Sequence, residues 1–366
     1  MTEDKTYWNY LKLRHLLSLQ QGFVGDEGGI STDELHFIVV HQVFELWFKL
    51  VLRELRTVRD TLNQSLVTEE AIPKVVHSLR RVIEVFKHSL DTFTVLETMT
   101  PQEFLSFRSS LGTASGFQSV QMREIEIILG LSNDQRVKLG GNDVLGLLRQ
   151  DLLASNDKKR WEEAEDYLNN PTIKDGLHLW LSRTPVHGTN ANDDHYDQVV
   201  DSFLADYLEA YHSLQQDQRE KLVTQDPAET TAIKQRFEKS KKALEIFVQA
   251  LDIAEPDRSF RRRVRAGLLL VESYRELPLL AWPRALVDSL AELEQLLVLW
   301  RTRHARMVER MIGRRVGTGG SSGVDYLDQT THYRVFSDLW TVRTLLLPKD
   351  RLPPIKNLDF YGFAVE

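Results

Sequence analysis

Apolar residues recur every three or four positions along most of the chain, and this spacing predicts a succession of amphipathic α-helices. Two long helices are predicted over residues 31–62 and 71–96, and a third runs from Leu293 to Gly313. Shorter helices follow the same spacing at 121–129, 144–154, 158–170, 194–214 and 333–347. No period-two strand pattern and no internal repeat is evident. The sequence therefore predicts an all-α fold, built as a helical bundle.

Two short motifs mark where predicted helices begin. Ser31-Thr32-Asp33-Glu34 has serine at the N-cap and glutamate three residues later, which is the pattern of a capping box. Thr100-Pro101-Gln102-Glu103 repeats that pattern with proline at the first helical position, where the missing N–H costs nothing. We therefore expect helices to begin directly after Ser31 and Thr100.

One long stretch is much more charged than its surroundings. Residues 215–265 carry a single apolar stripe, made of Phe237, Leu244, Phe247, Val248 and Leu251. This composition is typical of an exposed helical hairpin. We interpret about 215–275 as an inserted charged helical segment or a surface for a partner.

The composition excludes several kinds of functional site. The chain has 366 residues, 42% hydrophobic and 27% charged, which is ordinary for a globular protein with a substantial core. It has no cysteine, so disulfides, thiolate metal sites, iron–sulfur clusters and cysteine nucleophiles are excluded. A metal ion would have to bind His, Asp, Glu, Tyr or Met side chains, or arrive inside a cofactor.

The net charge and the N-terminal sequence indicate the cellular location of the protein and the partners it lacks. The formal net charge is -7, so no overall basic field favours nucleic acid. The N-terminus lacks the basic-then-apolar pattern of a signal peptide, and there is no run of about 18 apolar residues. We therefore expect a soluble cytoplasmic protein with no nucleic-acid partner and no membrane partner.

Two histidines fall on apolar helix faces. His304 shares its face with Leu297, Trp300 and Met307, and His41 shares one with Phe44 and other aromatic residues. A buried imidazole needs partners for its ring nitrogens. Each histidine is therefore either a core residue bonded to a carbonyl or carboxylate, or a ligand of a metal or haem.

An arginine in an aromatic setting and two glycine-containing turns accompany these histidines. Arg108 follows Phe104 by one helical turn, and its guanidinium is either paired with a residue such as Glu103 or acts as a bidentate clamp for a ligand carboxylate. Gly116 lies in a turn that permits close approach of a ligand or backbone. Residues 317–323 form a second loop, Gly-Thr-Gly-Gly-Ser-Ser-Gly.

A haem between helices would make use of all these features. Such a haem takes a neutral imidazole on one side and needs polar groups on the other, where an amino-acid-like or acidic substrate could bind. The spacing does not require a haem, and an ordinary helical bundle with two core histidines stays open at this level. The glycine loop lacks the Gly-Lys-Ser/Thr of a phosphate-binding loop, and no His-Glu-x-x-His pair is present.

Five sequence blocks, in one order along nearly the whole chain, resemble the tryptophan 2,3-dioxygenase family, haem enzymes that open the indole ring. The blocks are Tyr10-Leu11-Lys12-Leu13 with Leu17 to Gln20, Asp33-Glu34-Leu35 through His41-Gln42 to Glu45-Leu46-Trp47-Phe48-Lys49, Leu96 to Pro101, Phe107-Arg108 with Ser115 to Ser119, and Arg303-His304 through Met307-Val308-Glu309-Arg310 to Gly323.

The resemblance implies a role for individual residues. His304 would be the proximal ligand of the haem iron, and His41 the distal base near the indole N–H. Arg108 would pair with the substrate carboxylate, and Thr318 would bind the substrate ammonium and carboxylate. The other implied substrate-binding residues are Phe37, Phe104, Ser115 and Gly116, together with Tyr7, Tyr10 and Leu11 from a neighbouring subunit.

The resemblance also implies a reaction and an assembly. It implies cleavage of the indole C2–C3 bond of L-tryptophan by O2 to N-formyl-L-kynurenine, with haem b (iron protoporphyrin IX) as cofactor. It implies one catalytic haem domain over 1–366, whose residues 1–30 pack on a neighbouring subunit of a homotetramer. Two other functions stay open: a haem-dependent monooxygenase acting on a modified tryptophan or another aromatic amino acid, and a non-enzymatic helical scaffold.

Overall fold

A computed structural model describes residues 5–139, 141–154, 157–222, 227–315 and 323–362. Within these ranges the regular structure is helical, apart from two isolated β-bridges, which confirms the all-α prediction. The α-helices are α1 (Tyr7–Tyr10), α2 (Leu13–Leu16), α3 (Thr32–Leu62), α4 (Ala71–Leu96), α5 (Pro101–Phe107), α6 (Val120–Leu129), α7 (Val144–Ala154), α8 (Lys158–Asn169), α9 (Ile173–Leu181), α10 (Tyr196–Lys221), α11 (Pro227–Val248), α12 (Arg258–Ser273), α13 (Ala281–Ile312), α14 (Gly323–Thr330) and α15 (Ser337–Thr344).

The helix starts follow the sequence signals. Ser31 Oγ accepts a hydrogen bond from the Glu34 backbone N–H at 3.1 Å, so α3 begins where the serine cap predicts. At α5 both halves of the capping box form, because the Glu103 carboxylate also accepts from the Thr100 N–H at 2.7 Å. Helices α3 and α4 end at Leu62 and Leu96, as their apolar spacing predicts.

Two predictions about the second half of the chain are wrong in part. The exposed hairpin stops at α11, because α12 buries every residue from Val264 to Glu272. The final helix is shorter than the predicted 333–347, since Phe336 has non-helical backbone angles (φ -98°, ψ 55°) and α15 covers only Ser337–Thr344. The apolar spacing before Phe336 belongs to a buried but non-helical segment.

The chain divides into two compact units. Unit 1 takes the described residues of Met1–Arg56, Arg81–Asn170 and Leu293–Tyr333. Unit 2 takes those of Thr57–Arg80, Pro171–Glu292 and Arg334–Glu366.

Helix α12 forms the centre of unit 2, where it packs against α9, α10, α11 and α15. Its buried Arg265 donates both ends of its guanidinium to Asp252, each at 2.7 Å, and also pairs with Asp338. A buried guanidinium is tolerated only with such partners. The strongly charged sequence around α12 therefore reflects internal ion pairs as well as an exposed surface.

Aromatic side chains from three helices form the core of unit 1. Trp300 of α13 lies 6.0 Å from Phe44 of α3 and 5.5 Å from Phe93 of α4, measured between ring centroids. Phe48 is 5.8 Å from the same indole. These separations are typical of favourable edge-to-face and tilted aromatic pairs. The pairs hold the part of α13 directly before His304 against α3 and α4.

Helix α3 is also long and apolar enough to cross a membrane, judged by length and composition alone. The core helix of a globular protein meets the same criteria. Phe44, Phe48 and Val51 of α3 are all at most 6% exposed in the core of unit 1.

A buried carboxylate organises the other side of that core. The Glu126 carboxylate, on α6, pairs with Arg123 at 3.1 Å, with Arg136 at 2.5 Å and with Arg301 of α13 at 3.1 Å. All four side chains are at least nine-tenths buried. Burial alone would raise the pKa of Glu126, but the three guanidinium groups outweigh that effect and hold the pKa at about 2.

We predict that Glu126→Gln strongly destabilises the protein, because it leaves three buried guanidinium groups without their carboxylate. The free energy of unfolding at pH 7, from urea denaturation, should fall by about 3–5 kcal/mol. Glu162→Gln, which removes an exposed ion pair with Lys158, is the control and should cost less than about 0.5 kcal/mol.

The effect of Glu126→Gln should also depend on pH with a definite sign. The folded pKa of Glu126, about 2, lies below the ordinary 4.5, so its stabilising effect is complete above pH 4.5. The difference between wild type and variant should therefore shrink as the pH falls from 4.5 towards 2. A difference that is below 1 kcal/mol at pH 7, or that grows in acid, would contradict this account.

Candidate active site

Two adjoining cavities lie inside unit 1. They have the lining residues His41, Leu96, Gly116, Phe117, His304, Met307 and Leu327 in common. The cavity that Glu45, Arg123 and Glu126 also line is called the Glu126 lobe, and the one that Phe37, Phe104 and Arg108 also line is called the Arg108 lobe. They enclose about 760 and 840 Å³ of space free of atoms, and these volumes include the open mouths.

His41 is held in one tautomer by its own helix. Its Nδ1 lies 2.7 Å from the backbone carbonyl oxygen of Phe37. A carbonyl can only accept, so Nδ1 carries the proton and Nε2 of the neutral ring is a hydrogen-bond acceptor. Burial lowers the pKa of His41, against weaker opposing effects of the Phe37 carbonyl and of Glu45. His41 is therefore a neutral acceptor at pH 7.

His304 is the second histidine of the cavities and comes from α13. Its ring lies 5.2 Å from Trp300 and stacks on Phe93 at 5.9 Å. Burial is the main cause that lowers its pKa to about 4, with smaller electrostatic contributions from His41 and Arg123. No hydrogen bond joins this ring to any other described residue, although a buried imidazole ordinarily has one. The core-histidine interpretation, which requires a carbonyl or carboxylate partner, therefore finds no support among the described residues.

One wall of the Arg108 lobe is aromatic. The Phe37 ring lies 4.0 Å from His41, 5.8 Å from Phe104 and 5.7 Å from Phe107. Phe37 and Phe104, both predicted as substrate-binding residues, thus lie side by side, and Phe37 lies next to His41. Such a wall suits a flat aromatic ligand whose one polar N–H meets the acceptor nitrogen of His41.

Polar groups lie elsewhere along the same lobe. Arg108 and Ser115 both line it, as the sequence predicts for residues that meet a polar substrate. Arg108 follows the last residue of α5, whose start the Thr100 cap defines. The lobe therefore combines an aromatic surface with a cation, which is a suitable environment for an amino acid that has an aromatic side chain and a carboxylate.

The turn that carries Ser115 and Gly116 is a short 3-10 helix. Ser115 caps it by accepting from the Phe117 N–H, and its own N–H donates to the Gln118 side chain at 3.0 Å. Gly116 lines both lobes, and a Cβ built on it would meet no atom of the described residues within 4 Å, its chain neighbours apart. Among the described residues, no backbone approaches this glycine closely, which leaves the space on that side to the two lobes.

Four predicted residues do not line the cavities or cannot be described. Tyr7, Tyr10 and Leu11 are 76%, 85% and 42% exposed and line neither lobe. Thr318 lies outside the described residues. Ile312 and Gly323, on either side of the stretch that contains it, both line the Arg108 lobe.

Sequence reasoning missed the charged residues of the Glu126 lobe. Glu45, Arg123 and Glu126 line this cavity, yet each looks like an ordinary helix-surface residue when considered alone. A signal was present in α6, where charged residues interrupt an otherwise apolar helix that has no polar face. The charged side chains of such a helix must be buried against oppositely charged partners, and the sequence pattern does not show which residues these are.

Comparison with known proteins agrees with this geometry. The family model described as tryptophan 2,3-dioxygenase matches residues 1–346. Tryptophan 2,3-dioxygenase 2 of Ralstonia nicotianae is 48% identical over 371 aligned residues, covering 99% of this chain and 98% of that protein. Tryptophan 2,3-dioxygenase of Sorangium cellulosum is 44% identical over 376, covering 100% of this chain and 89% of that protein.

A shorter relative has a less specific name. The tryptophan 2,3-dioxygenase-like protein of Xanthomonas campestris pv. campestris is 46% identical over 274 aligned residues, covering 73% of this chain and 99% of that protein. The family model spans nearly all of this chain, and the first two relatives match essentially all of it. The resemblance found in the sequence is thus confirmed, and the chain belongs to the tryptophan 2,3-dioxygenase family of oxidoreductases.

Proposed function

We propose that this chain is a haem-dependent dioxygenase that cleaves the indole C2–C3 bond of L-tryptophan with O2, giving N-formyl-L-kynurenine. The observation that carries the proposal is that His41 and His304, from different helices, line the same cavity as Arg108. An acceptor for the indole N–H, a candidate iron ligand and a candidate carboxylate clamp are thereby brought together.

The residues of the cavities fit a haem b bound through His304. This imidazole is neutral at pH 7, and no other described residue occupies its ring nitrogens by a hydrogen bond. Phe93, Leu96, Trp300 and Met307 supply apolar lining around it. When bound, the haem iron would supply the binding and activation of O2 that the ring opening needs.

The protein's own contribution to the reaction is to bind and orient the substrate. The neutral Nε2 of His41 accepts the indole N–H, and Phe37 and Phe104 pack on the ring. His41 orients the indole, while the cofactor supplies the oxygen chemistry. Loss of the His41 imidazole should therefore mainly weaken tryptophan binding, and turnover should be reduced but not abolished.

The amino-acid part of the substrate needs charged and polar partners. Arg108 forms a bidentate pair with the carboxylate, which fixes the direction in which the indole enters the lobe. Ser115 and Gly116 lie beside the bound substrate, where a glycine leaves room for it. Thr318 binds the ammonium and carboxylate groups, and the positions of Ile312 and Gly323 along the same lobe support this assignment.

The proposal includes an assembly. Tyr7, Tyr10 and Leu11 close the pocket of a neighbouring subunit in a cytoplasmic homotetramer. Their exposed apolar surface supports this assignment, because such surface is typical of protein–protein contacts. Residues 1–366 act as one catalytic unit. Light scattering of the purified protein tests the assembly, since a mass of one chain or two excludes the tetramer.

We predict that His304→Ala and His41→Ala separate haem binding from substrate binding. His304→Ala removes the iron ligand and should abolish the haem absorption band of the purified protein. His41→Ala should keep that band but weaken tryptophan binding, because only the indole N–H acceptor is lost. Native-like haem content and spectrum in His304→Ala would contradict the ligand assignment.

We predict that Arg108→Leu raises the KM for tryptophan by about 10- to 100-fold, as loss of a charge-assisted bidentate pair implies. Steady-state kinetics with an indole lacking the carboxylate should show no such difference, because the clamp has nothing to bind. Arg80→Leu, at an exposed position of α4 that lines neither lobe, is the control. An unchanged KM in Arg108→Leu would exclude the clamp.

The reaction itself is tested by isotope labelling. The haem-loaded protein is reduced without oxygen, tryptophan and ¹⁸O₂ are added, and the product is read by mass spectrometry. The proposal requires a ring-opened product that carries two labelled oxygen atoms. A product with one labelled oxygen and an intact indole would instead identify a monooxygenase.

A further inference from the structure

The turn from Ser115 to Ser119 links the two lobes to α6. It begins at Ser115, passes through Gly116 and ends at Ser119, whose hydroxyl caps α6 by accepting from the Met122 N–H at 3.3 Å. The Ser119 N–H donates back to the Gly116 carbonyl at 3.3 Å. The turn is therefore short and internally bonded, so its place in the cavity is set by whatever holds its two ends.

Glu45 of α3 holds the end at Ser119. The Ser119 hydroxyl donates to Glu45 Oε1 at 2.6 Å. The Gln121 side-chain N–H₂ donates to Glu45 Oε2 at 2.7 Å and to the Glu45 backbone carbonyl at 2.8 Å. An ionised carboxylate that accepts from two neutral donors forms bonds roughly twice as strong as neutral pairs.

The rest of the turn has contacts of its own. Gln118 donates from its side chain to the exposed carboxylate of Asp151 at 3.1 Å, and the Phe117 ring meets Tyr326 edge-on at 4.9 Å between ring centroids. Directly before the turn, the Ala114 N–H donates to the Leu111 carbonyl at 3.0 Å. The contacts of Glu45 are partly buried and number three, counting its backbone carbonyl. Glu45 therefore restrains the Ser119 end of the turn.

Glu45 is also one helical turn after His41, and both residues line the Glu126 lobe. Movement of the Ser119 end would change the spacing between His41 and the turn that carries Ser115 and Gly116. A misplacement of about 1 Å can cost about 100-fold in rate when a substrate must be held in one geometry.

We propose that Glu45 is a positioning residue whose carboxylate holds the Ser115–Ser119 turn against the helix of His41, so that tryptophan binds in one orientation. This inference rests on the proposed function. Glu45 does not touch the substrate in this scheme and acts through Ser119 and Gln121.

The test compares Glu45→Ala and Glu45→Gln with a matched control. Glu54, on the same helix, has a largely buried carboxylate that pairs with Arg81, and neither residue lines a lobe. Glu54→Ala removes this carboxylate and is the control. Tryptophan affinity is measured by spectral titration of the reduced, haem-loaded protein without oxygen, and kcat and KM are measured separately. Haem content and Tm are recorded for every variant.

Glu45→Ala should weaken tryptophan binding by about 10-fold or more and lower kcat/KM by about 10- to 100-fold, with haem content retained. Glu54→Ala should lose comparable stability and show wild-type kinetics. Glu45→Gln should recover part of the affinity, because an amide oxygen still accepts from Gln121. The effect of Ser119→Ala on tryptophan affinity should be smaller in the Glu45→Ala background than in the wild type, since the Ser119–Glu45 hydrogen bond is already lost there.

Wild-type tryptophan affinity and kinetics in Glu45→Ala would overturn the inference, as would additive effects of Glu45→Ala and Ser119→Ala. Equal kinetic losses in Glu45→Ala and Glu54→Ala would also overturn it, because they would reflect general destabilisation. A wild-type protein that binds tryptophan but forms no ring-opened product would overturn the proposed reaction alone. A wild-type protein that binds no tryptophan would overturn both.

Discussion

The Glu126 carboxylate, buried among three guanidinium groups, is the interaction on which the site depends. Removing one member of a buried ion cluster costs about 3–5 kcal/mol, a large share of the stability of an ordinary domain. Arg123 and Glu126 are on α6, and Arg301 is on α13, one turn before His304. The cluster therefore holds together the helix that carries His304 and the helix that begins at the Ser115–Ser119 turn.

A second contact ties this pair of helices to the helix of His41. Ser119, which begins α6, donates to Glu45 of α3, and the aromatic core joins α3 to α13 through Phe44 and Trp300. Three helices thus hold two neutral histidines along shared cavities without a direct bond between them. Desolvation keeps both imidazoles unprotonated at pH 7, so one can accept from a substrate N–H and the other can bind iron.

Local features of the sequence predict local features of the structure well. The bounds of α3 and α4, the caps at Ser31 and Thr100, and the apolar faces of His41 and His304 all follow from spacing over a few residues. Long-range pairings do not follow from spacing, since Glu126 meets Arg301 and Glu45 meets Ser119 far along the chain. Charges that look exposed in α6 and α12 are buried for the same reason, because their partners lie on other helices.

The family resemblance predicts what periodicity could not, namely which histidine would bind iron and which residues would meet the substrate. Phe37, Phe104, Arg108, Ser115 and Gly116 line the cavities as expected. Their chemical roles, and those of Thr318 and the N-terminal aromatic residues, stay predictions. The aromatic wall, the neutral acceptor and the nearby cation are consistent with one substrate orientation, with the indole N–H at His41 and the carboxylate at Arg108.

The most direct test is a crystal structure of the haem-loaded, reduced protein with L-tryptophan bound. We predict an iron bond to His304, an indole N–H that donates to Nε2 of His41, and a substrate carboxylate bound to Arg108. An iron bound by His41, or a haem outside these two lobes, would contradict this prediction.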